Sequence, residues 1–201
     1  MREITKSFLI LASGKLFLSL IKFSIGLLTA RYFGADGKGL YVTVSRSAQL
    51  VALLQSLGLG DSLIWAHGKD KKSKEELFYI SLVWIIFAIS LFILLIMSGL
   101  LLDFFILLNW SFYLDYINEI NLAIIGLIIH GFFLKFFQAV KDFGYYNIFS
   151  LSNVAFQLIT LLSAIIFFRA DLDTAILLVC YSLFASSIIE FFILCIRIKR
   201  P

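Results

Sequence analysis

Charge, proline, cysteine and histidine are all scarce in this sequence. Asp, Glu, Lys and Arg make up 15% of the 201 residues, whereas a soluble domain usually carries about 25% charged residues. Apolar sequence takes their place, since 61% of the residues are hydrophobic and the mean hydropathy is +1.00. A soluble fold of this size has no interior large enough to bury so much apolar surface. The composition therefore predicts an integral membrane protein whose main partner is the lipid bilayer.

The scarce residues also exclude several kinds of site. The one proline is Pro201, so no apolar run contains a proline kink. Cys180 and Cys195 lie in apolar sequence, which favours free thiols over a disulfide. His67 and His130 are far apart, and no group of residues has metal-ligand spacing. We therefore expect no metal, no cofactor and no enzymatic activity.

Six apolar segments are long enough to cross a bilayer, which takes about 20 helical residues. Isolated polar residues are tolerated within them. The segments cover approximately residues 8–31, 40–64, 77–102, 118–140, 149–168 and 174–196. The sequence thus predicts an all-α integral membrane protein with six transmembrane helices in a single domain, residues 1–201.

Lysine and arginine are unevenly distributed over the two ends of these segments. With six spans, ten cations fall on the side that holds both termini and three on the other side. The side richer in Lys and Arg is normally cytoplasmic, so both termini are predicted to be cytoplasmic. No basic face lies outside the spans, and a nucleic-acid partner is not expected.

Four cations lie inside predicted spans: Lys15, Lys22, Arg46 and Lys135. A charge near the bilayer centre costs about 2.5–3.5 kcal/mol on insertion scales, so these side chains are expected to face protein or water. Lys15 and Lys22 are two helical turns apart and share one face. We predict a cationic cavity that receives an anionic cargo. Lys135 lies near a span end, where its side chain can reach the headgroups.

Other polar residues form stripes on apolar helices. Gln49 shares a face with Arg46, and Asn153 shares one with Gln157, three and four residues away respectively. Such stripes either line a hydrated pathway or form hydrogen bonds between helices. Glu190 is the one acid well inside a span. It is a candidate for binding a coupling ion or for pairing with a cation.

The stretch "LLTARYFGADGKGLY", residues 27–41, is rich in glycine. A phosphate-binding loop needs a preceding strand and a Ser or Thr after Gly-Lys, whereas Lys38 is followed by Gly39. We interpret the stretch as the outer turn between spans 1 and 2, where glycine allows a tight reversal. Arg31 is expected to cap the outer end of span 1.

Together with "LLQSLGLGDSLIWAHGK" and "FFQAVKDFGYYNIFSL", this stretch resembles the O-antigen-type polysaccharide flippases. They belong to the multidrug/oligosaccharidyl-lipid/polysaccharide (MOP) exporter superfamily. Ala139 and Asp142 depart from the family's usual glycine and arginine. The residues that carry the resemblance include Arg31, Gly34, Gly39, Tyr41, Gln138, Tyr146 and Asn147.

The resemblance implies the N-terminal six-helix lobe of a flippase, or a truncated form of one, in the bacterial cytoplasmic membrane. Such a protein moves a polyprenyl-pyrophosphate-linked oligosaccharide, a repeat unit of O-antigen in lipopolysaccharide biosynthesis, across the membrane by alternating access. One lobe cannot enclose a pathway, so a second lobe or a second copy of the chain is an expected partner. Two other functions remain open: a multidrug-type lobe for cation efflux, and a non-transporting membrane assembly subunit.

Overall fold

The computed structural model describes residues 2–56, 59–70, 73–99 and 116–198, and these ranges are helical with short connections and no strand. The end of the third predicted span, residues 100–102, lies outside them. The six helices are α1 (Arg2–Ser56), α2 (Leu59–Asp70), α3 (Lys74–Met97), α4 (Ile117–Ala139), α5 (Phe143–Ile166) and α6 (Leu172–Ile198). The predicted all-α class is confirmed.

Helix α1 is broken at Gly34, where φ is 76° and ψ is −174°. Only glycine adopts this region without strain, so the break divides α1 into a first arm, residues 2–33, and a second arm, residues 35–56. Lys22 of the first arm and Arg46 of the second line one pocket. In a straight helix these residues would be about 36 Å apart, so the second arm folds back along the first.

Five helices in the described ranges are long and apolar enough to cross a membrane. The longest candidate, Ser7–Leu54, contains both the first predicted span and most of the second. The link between them is a single non-helical residue, Gly34, where the sequence predicted a loop over 31–39. The four other candidates are Lys74–Met97, Ile117–Ala139, Phe143–Ile166 and Leu172–Arg197.

Two further boundaries differ from the expected ones. The second span was expected to run to residue 64, whereas α1 ends at Ser56 and α2 begins at Leu59. The fifth was expected to begin at 149, whereas α5 begins at Phe143. Asp142 starts α5 early because its side chain accepts a hydrogen bond from the Tyr145 backbone N–H at 3.3 Å. A cap of this kind satisfies a backbone donor that has no partner within the helix.

Side-chain caps also begin α3 and α6. Ser73 and Glu76 form a reciprocal capping box, in which each side chain accepts a hydrogen bond from the other residue's backbone N–H. Asp171 accepts from the Thr174 backbone N–H at 3.1 Å. Hydrogen bonding from Thr174 lowers the pKa of the Asp171 carboxyl. Since the folded state lowers this pKa, the contribution of the cap to stability is lost as the pH falls through the folded-state pKa.

Helix α4 is the centre of the bundle. In its most apolar stretch 56% of the residues are buried, whereas in the most apolar stretch of α1 only 6% are. It packs against every other helix, and most extensively against α6. Its buried face carries a phenylalanine cluster: Phe132, Phe133, Phe136 and Phe137. Helix α1 packs mainly on α5 and α4 and leaves a large apolar face exposed.

Gly126 allows α4 and α6 to approach backbone to backbone. A Cβ at this position would lie 2.8 Å from Phe184 Cα and 2.9 Å from the Leu183 carbonyl oxygen. Gly126→Ala is therefore expected to lower the free energy of unfolding in detergent by about 1–3 kcal/mol, as overpacking usually does. Gly131→Ala on the same helix is the matched control, because no atom lies within 4 Å of its Cβ position. Equal stabilities of the two variants would contradict the close approach.

Candidate functional site

A pocket between the two arms of α1 and helix α5 brings together several of the predicted cargo-facing residues. We call it the cationic pocket. It is lined by Lys22, Ile25, Gly26, Thr29, Tyr41, Val42, Ser45, Arg46, Gln49 and Gln157. Its volume of about 140 Å³ is several times the roughly 30 Å³ share of one water molecule. The pocket therefore has room for water or for a small anionic group.

The charges of the cationic pocket have one sign. Lys22 and Arg46 are its charged residues among the described lining residues, and neither Asp nor Glu lines it. Arg46 Nη1 donates a hydrogen bond to Gln49 Oε1 at 3.3 Å, so these side chains lie on one face of the second arm. Gln157 contributes an amide from α5. The site thus offers two cations and two amides, which suit the oxygens of a phosphate or a carboxylate.

A second, mostly apolar pocket adjoins the first and shares Gln49 with it. We call it the apolar pocket. It is lined by Gln49, Ala52, Leu53, Gly60, Asp61, Leu127, Ile128, Gly131, Phe132 and Lys135. Its volume is about 230 Å³. Lys135 Nζ pairs with Asp61 Oδ1 at 2.5 Å, so its two charged lining residues compensate each other. A polar pocket that continues into an apolar one is suited to an amphiphile.

Behind the cationic pocket, a network of buried polar side chains joins α5 and α6. Gln157 Nε2 donates to Asn153 Oδ1 at 3.0 Å, and Asn153 Nδ2 donates to Ser186 Oγ at 3.0 Å. One turn further along α6, Glu190 accepts a hydrogen bond from Ser152 Oγ at 3.1 Å. In the predicted stripe on α5, Asn153 therefore forms a hydrogen bond between helices, and Gln157 also faces the pocket.

Glu190 also contacts His130 of α4. The His130 Nδ1 atom lies 2.6 Å from Glu190 Oε2, and both residues are buried. The expected cation partner of Glu190 is thus an imidazole. A histidine that stands alone in an apolar helix was the available signal, because an ionisable group inside a membrane span needs a partner. The sequence offers no way to choose that partner, since the two residues are 60 positions apart.

Two predicted cations lie outside the cationic pocket. Lys15 is exposed on the first arm and does not line the pocket, although it shares a face with Lys22. It follows Gly14, whose close contact with Asn147 joins the first arm to α5. Lys135 lines the apolar pocket, and its partner Asp61 was not singled out in the sequence.

The family-signature residues are distributed over three places. Arg31, Gly34 and Gly39 are exposed around the break in α1, and Tyr41 is buried beside the cationic pocket. Gln138 lies near the end of α4, and Tyr146 and Asn147 lie in the first turns of α5, all half-buried. Asn147 Nδ2 donates to the Ile10 backbone carbonyl, so the α4–α5 signature holds the first arm of α1 in place.

The start of α5 is also tied to the end of α6. The Arg197 Nη2 atom donates to Asp142 Oδ2 at 2.9 Å, and its guanidinium lies 3.2 Å from the centre of the Tyr145 ring. Asp142, the residue that departs from the family's usual arginine, therefore caps α5 and binds Arg197 at once. No protein-family model, curated protein or solved structure matches the chain. The likeness to the polysaccharide flippases rests on the three short stretches of sequence.

Proposed function

We propose that the chain is one lobe of a membrane transporter that moves a polyprenyl-pyrophosphate-linked oligosaccharide by alternating access. In this proposal the membrane is the bacterial cytoplasmic membrane, and a second lobe or a second copy of the chain completes the pathway. The observation that carries the proposal is the cationic pocket, in which Lys22 and Arg46 face one space with no carboxylate among its lining residues. Cations on two different arms can bind the two phosphates of a pyrophosphate.

The fold-back at Gly34 supports a six-span arrangement. The second arm, residues 35–56, is about 33 Å long at 1.5 Å per residue, and the hydrocarbon core of a bilayer is about 30 Å thick. Each arm therefore crosses the membrane once in the proposed topology. With α3, α4, α5 and α6 the chain crosses six times, and both termini lie in the cytoplasm.

The adjoining apolar pocket supports a lipid-linked cargo over a soluble anion. Gln49 belongs to both pockets, so a pyrophosphate at Lys22 and Arg46 would place the first isoprene units beside Leu53 and Phe132. These lining residues are apolar, and the charges of Lys135 and Asp61 compensate each other at 2.5 Å. A lobe for cation efflux would need an acid in the polar part, where the described lining residues include none.

The proposal is tested by lipid binding to the purified full chain in nanodiscs. We expect undecaprenyl pyrophosphate to bind more tightly than the uncharged polyprenol. Lys22→Gln or Arg46→Gln is each expected to weaken pyrophosphate binding about tenfold or more, because a hydrogen bond to a charged group contributes about 1.5–3 kcal/mol. Lys38→Gln, an exposed cation outside the pocket, is the matched control. Equal binding of the two lipids, or no effect at Lys22 and Arg46, contradicts the proposal.

A second candidate function is a membrane assembly subunit that transports nothing. It is favoured by one observation: in the polar stripe on α5, Asn153 forms a hydrogen bond of 3.0 Å to Ser186 of α6. In a cell that displays the glycan on its surface, a transport lobe loses display in the double variant Lys22→Ala/Arg46→Ala at normal expression. An assembly subunit keeps it, because its helix contacts do not involve these two side chains.

A further inference from the structure

The contact between Glu190 and His130 lies deep within the bundle. Their exposed fractions are 3% and 9%, and each is at least about 12 Å from the ends of its helix at 1.5 Å per residue. A buried ionisable residue within a membrane span is costly and marks a functional site by default. The two residues come from α6 and α4, the most extensively packed helix pair in the bundle.

The geometry of the contact requires a proton between the two residues. At 2.6 Å the His130 Nδ1 and Glu190 Oε2 atoms are within hydrogen-bond distance, and two lone pairs facing each other at that distance would repel. Ser152 Oγ lies 3.1 Å from the other carboxylate oxygen and 2.9 Å from the Phe149 backbone carbonyl oxygen, so its one hydroxyl hydrogen has two acceptors within reach. The two oxygens of the carboxylate therefore contact donors from two helices, His130 of α4 and Ser152 of α5.

The pair has two charge states that differ by one proton. With a neutral imidazole whose Nδ1–H donates to the carboxylate, the net charge is −1. Uptake of one proton from water, at the second imidazole nitrogen, yields an imidazolium–carboxylate pair of net charge zero. In an apolar interior the neutral pair avoids the cost of an uncompensated charge. A single proton therefore decides whether the contact carries a net charge.

Apart from the half-buried Glu119 near the start of α4, the other charged groups on these helices contact partners elsewhere or are exposed. Helix α5, which supplies Ser152, contains no Asp, Glu, Lys or Arg. On α6, Asp173 contacts Tyr116 and Arg197 pairs with Asp142. On the helices around α4 the charged and titratable groups with described side chains are Lys15, Lys22, Arg31, Asp36, Lys38 and Arg46 on α1, Asp61 and His67 on α2, Lys74, Glu75 and Glu76 on α3, and Glu119 and Lys135 on α4 itself. Lys135 binds Asp61, and the ionisable group that Glu190 contacts is His130.

Two separate contacts between α5 and α6 lie between this pair and the cationic pocket. Ser152 contacts Glu190, and the next residue, Asn153, binds Ser186 and Gln157. Gln157 lines the pocket with Lys22 and Arg46. Both contacts join the same two helices, so a change in how α5 packs on α6 would affect the pair and the pocket together.

We propose that His130, Glu190 and Ser152 form a proton-binding site that is linked to anion binding in the cationic pocket. An anion in the pocket disfavours the state of net charge −1 and so promotes proton uptake. By reciprocity, proton uptake strengthens anion binding. The proton site stands on the contacts of α4, α5 and α6 alone, and only the linkage rests on the proposed function.

The proton site is tested by NMR of the full chain in nanodiscs with ¹³C-labelled histidine. The chain contains two histidines, so the variant His67→Gln leaves the signal of His130 alone. We expect this imidazole to gain one proton as the pH is lowered. In the double variant His67→Gln/Glu190→Gln we expect that change to be lost. An imidazole of constant protonation in His67→Gln, or one that titrates equally without the carboxylate, overturns the proposal.

If Glu190→Gln fails to fold, a variant that disturbs the site less still tests the proposal. Ser152→Ala removes one hydrogen bond to the carboxylate and leaves the ion pair in place, so the pH at which His130 gains its proton is expected to shift. No shift in Ser152→Ala contradicts the part of the proposal that makes Ser152 a member of the site. In this variant the titration itself is retained.

The linkage is tested with sulfate, an anion that does not itself titrate in this range. At a fixed pH, sulfate is expected to raise the protonated fraction of His130 in His67→Gln, and Lys22→Gln is expected to abolish that rise. Sulfate that binds without changing the protonated fraction overturns the linkage. Absence of sulfate binding contradicts the anion pocket of the proposed function, while the histidine titration still decides the proton site.

Discussion

Replacement of His130 by leucine, with Glu190 left in place, is expected to be the most destabilising single change in the bundle. The carboxylate is 3% exposed, and removal of its partner at 2.6 Å leaves a buried charge without compensation. Breaking a buried ion pair in this way typically costs about 3–5 kcal/mol. We expect a loss of that size in the free energy of unfolding, measured by SDS titration in mixed micelles.

The double variant His130→Leu/Glu190→Leu is the control for this prediction. With both charges replaced by apolar side chains of similar size, no group is left unsatisfied, and buried pairs replaced in this way are often neutral or even more stable. If the single and double variants are equally stable at neutral pH, the pair does not carry a buried charge.

The second large effect is expected at Gly34, where an added side chain opposes the fold-back of α1. With φ at 76° and ψ at −174°, a residue with a Cβ is strained by about 1–3 kcal/mol. Gly34→Ala can relieve this strain by continuing the helix, and in doing so it would separate the two arms. We expect the variant to lose stability and to lose the cationic pocket together.

Spin labels at positions 22 and 46 measure the separation of the arms, in a background without Cys180 and Cys195. The labels are expected to be close in the parent chain and to move toward the roughly 36 Å of a straight helix in Gly34→Ala. Gly39→Ala is the matched control, because Gly39 is helical and has no atom within 4 Å of its Cβ position. Alanine there is expected to stabilise the helix by up to about 1 kcal/mol. Unchanged label distances in Gly34→Ala would show that the glycine is not needed for the reversal.

The two interpretations of the polar stripes turn out to apply to different residues of the same stripe. Asn153 is 3% exposed, and its amide forms hydrogen bonds with Ser186 and Gln157. This is expected of a residue that holds helices together. Gln157, one turn later, is half-buried and also lines the pocket. The sequence places both residues on one face of α5. Only the packing of α1 against α5 decides which of them is buried between helices and which faces the pocket.

Composition and hydrophobic runs were sufficient for the fold class and for the approximate position of the apolar helices, because lipid selects apolar side chains over a fixed length of helix. They also identified Lys22, Arg46 and Glu190 as charged residues within apolar spans, where each needs a partner or water. The predicted turn between spans 1 and 2 was too long, since the three glycines were expected to allow a tight reversal together, whereas one residue with positive φ, Gly34, makes it. Glycine composition does not reveal which glycine leaves the helical region.

What only the tertiary structure decided is which polar groups meet. Local periodicity assigns residues to a helix face, but pairing across helices depends on how the helices are packed and rotated against one another. That packing brings Lys22 to the same pocket as Arg46 and leaves Lys15 outside it. It also places His130 against Glu190, 60 residues away. The sequence by itself determined that these charges would need partners or water in an apolar surrounding, and the packing of the helices decided which ones they have.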